Sequence, residues 1–211
     1  MAPKQPPATP SPSAQATADA RRRILDAAFD LFHGQGVEGT GLEQILERSG
    51  TGKSQLYHYF GSKDGLVLAV VLDFEQRLLR GELPGAGGVH SLDDVARWFD
   101  AFVGFQRATG AVRHCPMATI AADLDPGDEE TRATIVRIFD RARAPLRDYF
   151  AACAAGGRLA PGADADDLAD FCIVVMQGGL LVSRVRRDPE AFARAAAQAL
   201  AHVRALVRER D

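Results

Sequence analysis

The sequence predicts an all-α protein, on three observations. From Ala18 onward apolar residues recur at helical spacing, and no stretch alternates with strand period for long enough to compete. Ser, Thr or Asp stand where helices would begin, twice with a proline directly after them. Glycines stand where they would end.

Residues 1–17 are expected to be a disordered tail. They hold five of the eleven prolines and lack the apolar run of a secretory signal. The first helix is expected from about Ala18 to His33, with Ile24, Ala28, Leu31 and Phe32 on one face and Gly34 and Gly36 closing it. Thr40 opens the second, Glu43 completes a capping box with it, and Leu42, Ile45 and Leu46 face inward. Gly50, Thr51 and Gly52 break that helix. A short third helix covers Lys53 to Phe60, burying Leu56, Tyr59 and Phe60 and leaving Ser54, Tyr57 and His58 outside. Ser62 caps a fourth helix that reaches Leu83, and the loop from Pro84 to Gly88 divides two lobes.

In the second lobe, Ser91 with Asp94 starts a fifth helix striped by Leu92, Val95, Phe99, Phe102 and Gln106. Pro116 suits the first turn of a short sixth helix. Asp125 with Pro126 starts a seventh that reaches Ala155 and is expected to kink at Pro145. Asp164 begins an eighth, apolar nearly all round, and Asp188 with Pro189 begins a ninth striped by Phe192, Ala196, Ala199, Val203 and Leu206. Domain limits follow as 1–17, 18–66 and 67–211.

Composition narrows the function. The net charge is -3 and 22 of the 25 basic residues are Arg, so no global basic excess draws the chain to nucleic acid or an acidic membrane. Any DNA site must be local. The longest uncharged apolar run, Phe171 to Val182, is twelve residues, short of the ~20 that cross a bilayer. Cys115, Cys153 and Cys172 are odd in number and far apart, which fits neither a disulfide framework nor paired metal ligands and points to a reducing cytoplasm. No metal or other cofactor is expected. No Glu-x-x-His pair, glycine-rich phosphate loop or Ser, His and acid set speaks for an enzyme.

Two short helices joined by a three-residue turn with glycines, behind a longer helix, have the order of a helix-turn-helix, whose second helix enters the major groove. The string RSGTGKSQLYHYFGSKDGL, Arg48 to Leu66, resembles the DNA-binding signature of the TetR family of transcriptional regulators. That resemblance runs from Arg22 to Leu68 and implies an N-terminal three-helix DNA reader followed by a helical effector-binding and dimerising lobe. It implies phosphate contacts at the positions of Thr40, Tyr57 and Lys63. Gly52 departs from the pattern, which often has a capping serine there.

The side chains carry the chemistry independently. The Gln55 amide can accept and donate at once, matching the N6 and N7 edge of adenine, while Lys53 can donate to guanine and Ser54 to either purine. Thr40, Tyr57, His58 and Lys63 offer donors to phosphate around them. Arg21, Arg22 and Arg23 add charge, so residues 1–63 hold seven basic and six acidic groups.

For the second lobe, Trp98, Phe102, Cys115, Met117, Phe139, Met176 and Gln177 are the candidate lining of an effector pocket, with ordinary core packing as the alternative. The ninth-helix stripe and one side of Phe171 to Val182 are too apolar for a monomer's surface and are expected to form a homodimer. In TetR-like proteins these two helices pair into a four-helix interface. Cys115 is expected to cap the sixth helix, where the dipole, Arg113 and His114 would favour thiolate; the segment HCPMATIAADL resembles electrophile-sensing TetR-like regulators. A buried inert thiol is the other reading. The function expected is a ligand-released repressor that binds a palindromic operator as a homodimer in the cytoplasm, with a helical adaptor of weak or lost DNA binding as the alternative.

Overall fold

A computed structural model describes residues 12–208, with side chains from Gln15 to Arg208. Nine helices form among them: α1 (Pro12–Gln35), α2 (Leu42–Ser49), α3 (Lys53–Phe60), α4 (Lys63–Leu79), α5 (Leu92–Ala108), α6 (Pro116–Ala122), α7 (Glu129–Ala155), α8 (Ala165–Arg186) and α9 (Pro189–Leu206). No sheet forms among the described residues. An isolated bridge pairs Leu159 with Val207.

Two compact units divide the chain, Met1–Val70 and Val71–Asp211. The first is a three-helix bundle completed by the start of α4. Its core is Ile24, Leu25, Ala28 and Phe32 from α1, Ile45 from α2, Leu56 and Phe60 from α3, and Leu66, Val67 and Val70 from α4. Helix α1 packs against both α2 and α3.

The expected tail is corrected in part. Residues 1–11 lie outside the description, but Pro12 to Thr17 belong to α1, because proline is tolerated in a first turn and Ser-Ala-Gln-Ala carries helix propensity without any apolar signal. The N-cap of α2 is Gly41, not Thr40. The Gln44 Oε1 accepts from the Gly41 amide at 3.0 Å, so the capping box is Gly41 with Gln44 rather than Thr40 with Glu43. Helix α4 ends at Leu79, four residues before Leu83, because Gly81 takes a left-handed φ of 71°. The N-cap of α7 is Asp128, three residues after Asp125, which instead closes the preceding turn on the Gly127 amide.

In the second unit α8 packs between α7 and α9, and α5 lies against α9 and α8. One apolar core contains Val95, Trp98, Phe99, Leu146, Phe150, Cys172, Met176, Leu180, Phe192, Ala199 and Val203. Salt bridges fasten its rim. Arg107 grips Glu190 with two bonds of 2.8 and 2.9 Å, joining α5 to α9, and Arg143 with Arg147 holds Asp166 at the start of α8. Ser91 caps α5: its Oγ accepts from the Asp94 amide, and the Asp94 carboxylate accepts in return from Ser91 Oγ and the His90 amide, which hold its pKa down at about 2.

By length and mean hydropathy of 1.6, α8 could cross a membrane. Here Leu168, Ala169, Cys172, Met176, Gly179, Leu180 and Ser183 are buried against protein. The α9 stripe is corrected too. Phe192, Ala196, Ala199 and Val203 face the protomer's own core, and Leu206 is half-buried against it, so that stripe is not a surface for a second copy. A helix pattern gives the apolar face but not what covers it.

The closest approach in this core lies at Gly179, where an added Cβ would stand 2.6 Å from Cγ and Cε2 of the fully buried Phe192. Gly179→Ala should therefore destabilise the protein by about 1–3 kcal/mol through overpacking. Equilibrium urea unfolding measures this, and unchanged stability would place slack between α8 and α9.

Candidate nucleic-acid interface and effector cavity

An eight-residue helix is too short to persist alone, so α3 is held at its ends and along one face. Gly52 is its N-cap, in extended backbone, and Gly61 closes it with φ of 73°, donating to the Tyr57 carbonyl at 2.9 Å. Leu56 and Phe60 are buried, the Arg21 guanidinium lies 5.3 Å from the Phe60 ring centre, and Tyr59 is half-buried. That anchoring turns Lys53, Ser54, Gln55, Tyr57 and His58 to the outside, all of them exposed. Lys63, the first residue of α4, is half-buried beside them in sequence.

Gln55 has two roles. Its Oε1 accepts from the Gly52 amide at 3.2 Å, the glutamine half of a capping box, which holds the side chain on the first turn, while the Gln55 backbone amide that a capping serine would take donates to the Gly52 carbonyl at 3.0 Å. A carbonyl oxygen has a second lone pair and the amide nitrogen its two donors, so the cap and an adenine edge can be served together. Lys53 lies 5.9 Å over the Tyr57 ring.

Thr40 is corrected. It has no exposed surface, its hydroxyl donates to the Gly36 carbonyl at 2.6 Å, and it closes the turn between α1 and α2 instead of reaching for phosphate. Of the three arginines, Arg22 is paired with Asp26 at the surface, and Arg23 donates to the Ser49 carbonyl at 3.0 Å, which orients it without cancelling its charge. Arg48 pairs with Asp30 at 3.0 Å.

The second unit contains a cavity of about 640 Å³. Its walls are the end of α4 at Leu78 and Leu79, the loop from Pro84 to His90, Trp98 and Phe102 of α5, and α7 from Arg141 to Ala152, with Arg158 beyond it. Of the expected lining, the structure places only Trp98 and Phe102 there. Met117 and Met176 are buried in the core, Phe139 is half-buried elsewhere on α7, and Cys115 sits with Gln177 at the start of α6. The residues missed are Gly85, Arg141, Pro145, Tyr149 and Arg158. Arg141, Pro145 and Tyr149 share one face of α7 at i, i+4 and i+8, but nothing in the sequence connects that face with a glycine loop and an arginine after a glycine pair.

Cys115 caps α6 as expected, but of its two readings the inert thiol holds and the thiolate does not. Burial pushes its thiol pKa up, and the opposing pull of the Ala118 amide, the Gln177 side chain and the Met117 amide is smaller. His114, instead of charging the sulfur, is held between Thr119 at 2.8 Å and Arg184 at 3.0 Å. Cys172 is pushed up to about 12 by burial. Among the described residues no group of His, Cys, Asp and Glu could hold a metal ion.

A family model described as bacterial regulatory proteins, tetR family, matches residues 24–70, and one described as the tetracyclin repressor-like C-terminal domain matches residues 91–199. An uncharacterized HTH-type transcriptional regulator of Mycobacterium tuberculosis is 27% identical over 172 residues, 80% of this chain and 86% of its own. The HTH-type transcriptional repressor DhaR of Mycobacterium sp. (strain GP1) is 24% identical over 173 residues, 81% of this chain and 85% of its own. The crystal structure of a TetR transcriptional regulator from Chloroflexus aurantiacus superposes with a TM-score of 0.76 at 25% identity, covering 93% of this chain and all of that one.

Two outcomes follow. Gln55→Glu retains an acceptor for the Gly52 amide but loses the donors, so it should keep the wild-type melting temperature and lose about 1–3 kcal/mol of binding, with relaxed preference at one base position per half-site. Gln55→Ala should lower both. Equal loss on every DNA sequence would remove Gln55 as a base reader. For Cys115, a raised pKa means that thiolate is scarce at pH 7 and grows only as pH rises past the ordinary value of 9.0. N-ethylmaleimide labelling, followed by peptide mass, should be slow at pH 7 and accelerate above pH 9; rapid labelling of Cys115 at neutral pH would restore the sensor reading.

Proposed function

The chain belongs to the TetR family of bacterial regulatory proteins, and from that premise we propose that it is a ligand-released repressor binding a palindromic operator as a homodimer. It is a DNA-binding transcriptional regulator. The observation that carries the fuller reading is the outward face of α3, where Lys53, Ser54, Gln55, Tyr57 and His58 are exposed together on a helix whose other side is locked into the unit. Lys53, Ser54 and Gln55 read base edges, and Tyr57, His58 and Lys63 hold phosphates. No reaction is assigned to it. Acting on DNA, it works in the cytoplasm.

One short helix reads too few base pairs for specificity, so two readers are needed, about 34 to 36 Å apart or a multiple of it. The surface for a second copy is the exposed stripe on α8. Val174, Leu181, Val182 and Val185 are 68%, 52%, 42% and 76% exposed, with the exposed Gly178 between them. Ala197, Ala201 and Ala205 form a small-residue row on the outer side of α9. Those large apolar side chains gain by burial, and small ones let a second helix pair come close.

The effector enters the second-unit cavity. Leu78 and Leu79, which line it, end the same helix whose first residue is the phosphate-contacting Lys63. A ligand that binds two arrangements of α4 with different affinity therefore shifts the readers.

The direct test is a mobility-shift assay on the DNA upstream of the protein's own gene. Retarded DNA carrying two protomers is expected, and no retardation of any upstream fragment would leave the adaptor reading. Val174→Asp and Val185→Asp should each give monomers in sedimentation and weaken operator binding by at least about tenfold, with the protomer's helicity retained. An intact dimer in both would move the interface elsewhere.

A further inference from the structure

The cavity walls carry a charge pattern that selects among ligands. Phe102, Leu79, Pro84, Val89 and Pro145 make most of the lining apolar. Two arginines, the exposed Arg141 and the half-buried Arg158, line the same space. Arg141 shares its charge with Glu75 at 3.3 Å. Arg158 has no ion pair or side-chain hydrogen bond to any described residue; its backbone alone is tied, donating to Cys153 and accepting from Arg208. The acid on this wall, Asp148, is exposed and lies 3.5 Å from Arg147.

A second polar group is waiting. Trp98 is only 4% exposed, lines the cavity, and its indole N–H has no hydrogen-bond partner among the described residues. The indole nitrogen keeps accessible surface, so it can donate to an acceptor that enters the cavity. Gly85 closes the loop over it: a Cβ there would stand 2.9 Å from the Trp98 Nε1 and 2.6 Å from the Phe102 ring. Its φ of 76° also disfavours any other residue. Phe102 and Trp98 meet edge to face with centroids 5.0 Å apart, which leaves a rigid aromatic corner.

We propose that this cavity takes a small acid with an apolar, ring-bearing body, an arylalkyl carboxylate, whose anionic end is held by Arg158 and the field of Arg141 and whose body lies against the aromatic corner. The proposal rests on the reading of the cavity as the effector site and adds the ligand's chemical class. An amine would meet the unpaired like charge of Arg158, and a neutral molecule would desolvate that arginine without giving it a partner. A carboxylate supplies acceptors both for a guanidinium and for an indole N–H. The volume of about 640 Å³ suits one such molecule.

Trp98 is the chain's one tryptophan, so its fluorescence reports from the site itself. The full-length protein is titrated with 3-phenylpropanoate and with its neutral isostere, 3-phenylpropanamide, reading Trp98 emission and confirming by calorimetry. The acid should bind at least about tenfold more tightly than the amide. Arg158→Gln should bring the acid down to the amide's affinity, and Arg141→Gln should weaken the acid severalfold. Equal affinities in the wild type, no change in Trp98 emission with the acid, or an acid preference that survives both substitutions would overturn the proposal. Operator release is scored separately by mobility shift. Acid that binds selectively yet leaves DNA bound would uphold the ligand class and sink the effector reading. Acid and amide that bind alike and both release DNA would do the reverse.

Discussion

The constraint on which the DNA-reading end depends is the length of α3. Eight residues cannot pay for helix nucleation from their own hydrogen bonds, so the reading face exists only as the reverse of a buried one. Leu56 and Phe60 are therefore as necessary to recognition as the side chains that touch DNA. The stacking of Arg21 over Phe60 ties α1 to this arrangement and occupies one of the few cations in the unit. Arg21, Arg23 and Lys53 keep their charge at the surface, a local supply of cations in a chain of net charge -3.

The same shortage of length explains the repeated Gly-x-x-Gln. Both α2 and α3 start from a glycine whose amide is accepted by the glutamine three residues on, Gly41 by Gln44 at 3.0 Å and Gly52 by Gln55 at 3.2 Å. In α2 the glutamine is further held by Gln35 at 2.8 Å, so the first cap also ties α1 to α2. In α3 the glutamine has no such third partner, and its amide nitrogen stays available outward. One local solution thus caps both short helices, and in the first it also ties α1 to α2.

Much of the first unit was legible in the sequence because short-range rules decide it. The limits of α3 and its outward face follow from residue spacing and flanking glycines, and the structure places the helix at Lys53–Phe60; of the three residues expected inward, Leu56 and Phe60 are buried and Tyr59 is half-buried. Thr40 was misread because a capping threonine and a turn-closing threonine look alike in sequence; only the burial of its hydroxyl on Gly36 separates them. The thiolate reading of Cys115 fails for a related reason, while its place as the cap of α6 holds. Helix-dipole and neighbour-charge arguments give a sign, but desolvation can outweigh both, and desolvation is a property of the packed chain.

In the second unit the limits of the sequence are of a different kind. Periodicity marks α8 and α9 as apolar, yet which apolar residues meet their own core depends on the rotation of each helix against its neighbours. Phe192 goes inward because Gly179 leaves room for its ring, and that contact sends Val174, Leu181 and Val185 outward on the far side of α8. The cavity has a similar origin. The aromatic row of α5 continues through Phe102, but there it meets a glycine-rich loop rather than a helix face, and a backbone with positive φ at Gly85 cannot fill the space that side chains would. What the packing leaves open is bounded by α7 on its polar side, so Arg141, Tyr149 and Arg158 enter a site that no single element foreshadows. An apolar stripe that outruns its covering element is then a better guide to a cavity than the stripe itself, and here it ends where Trp98, Arg141 and Arg158 line the same space.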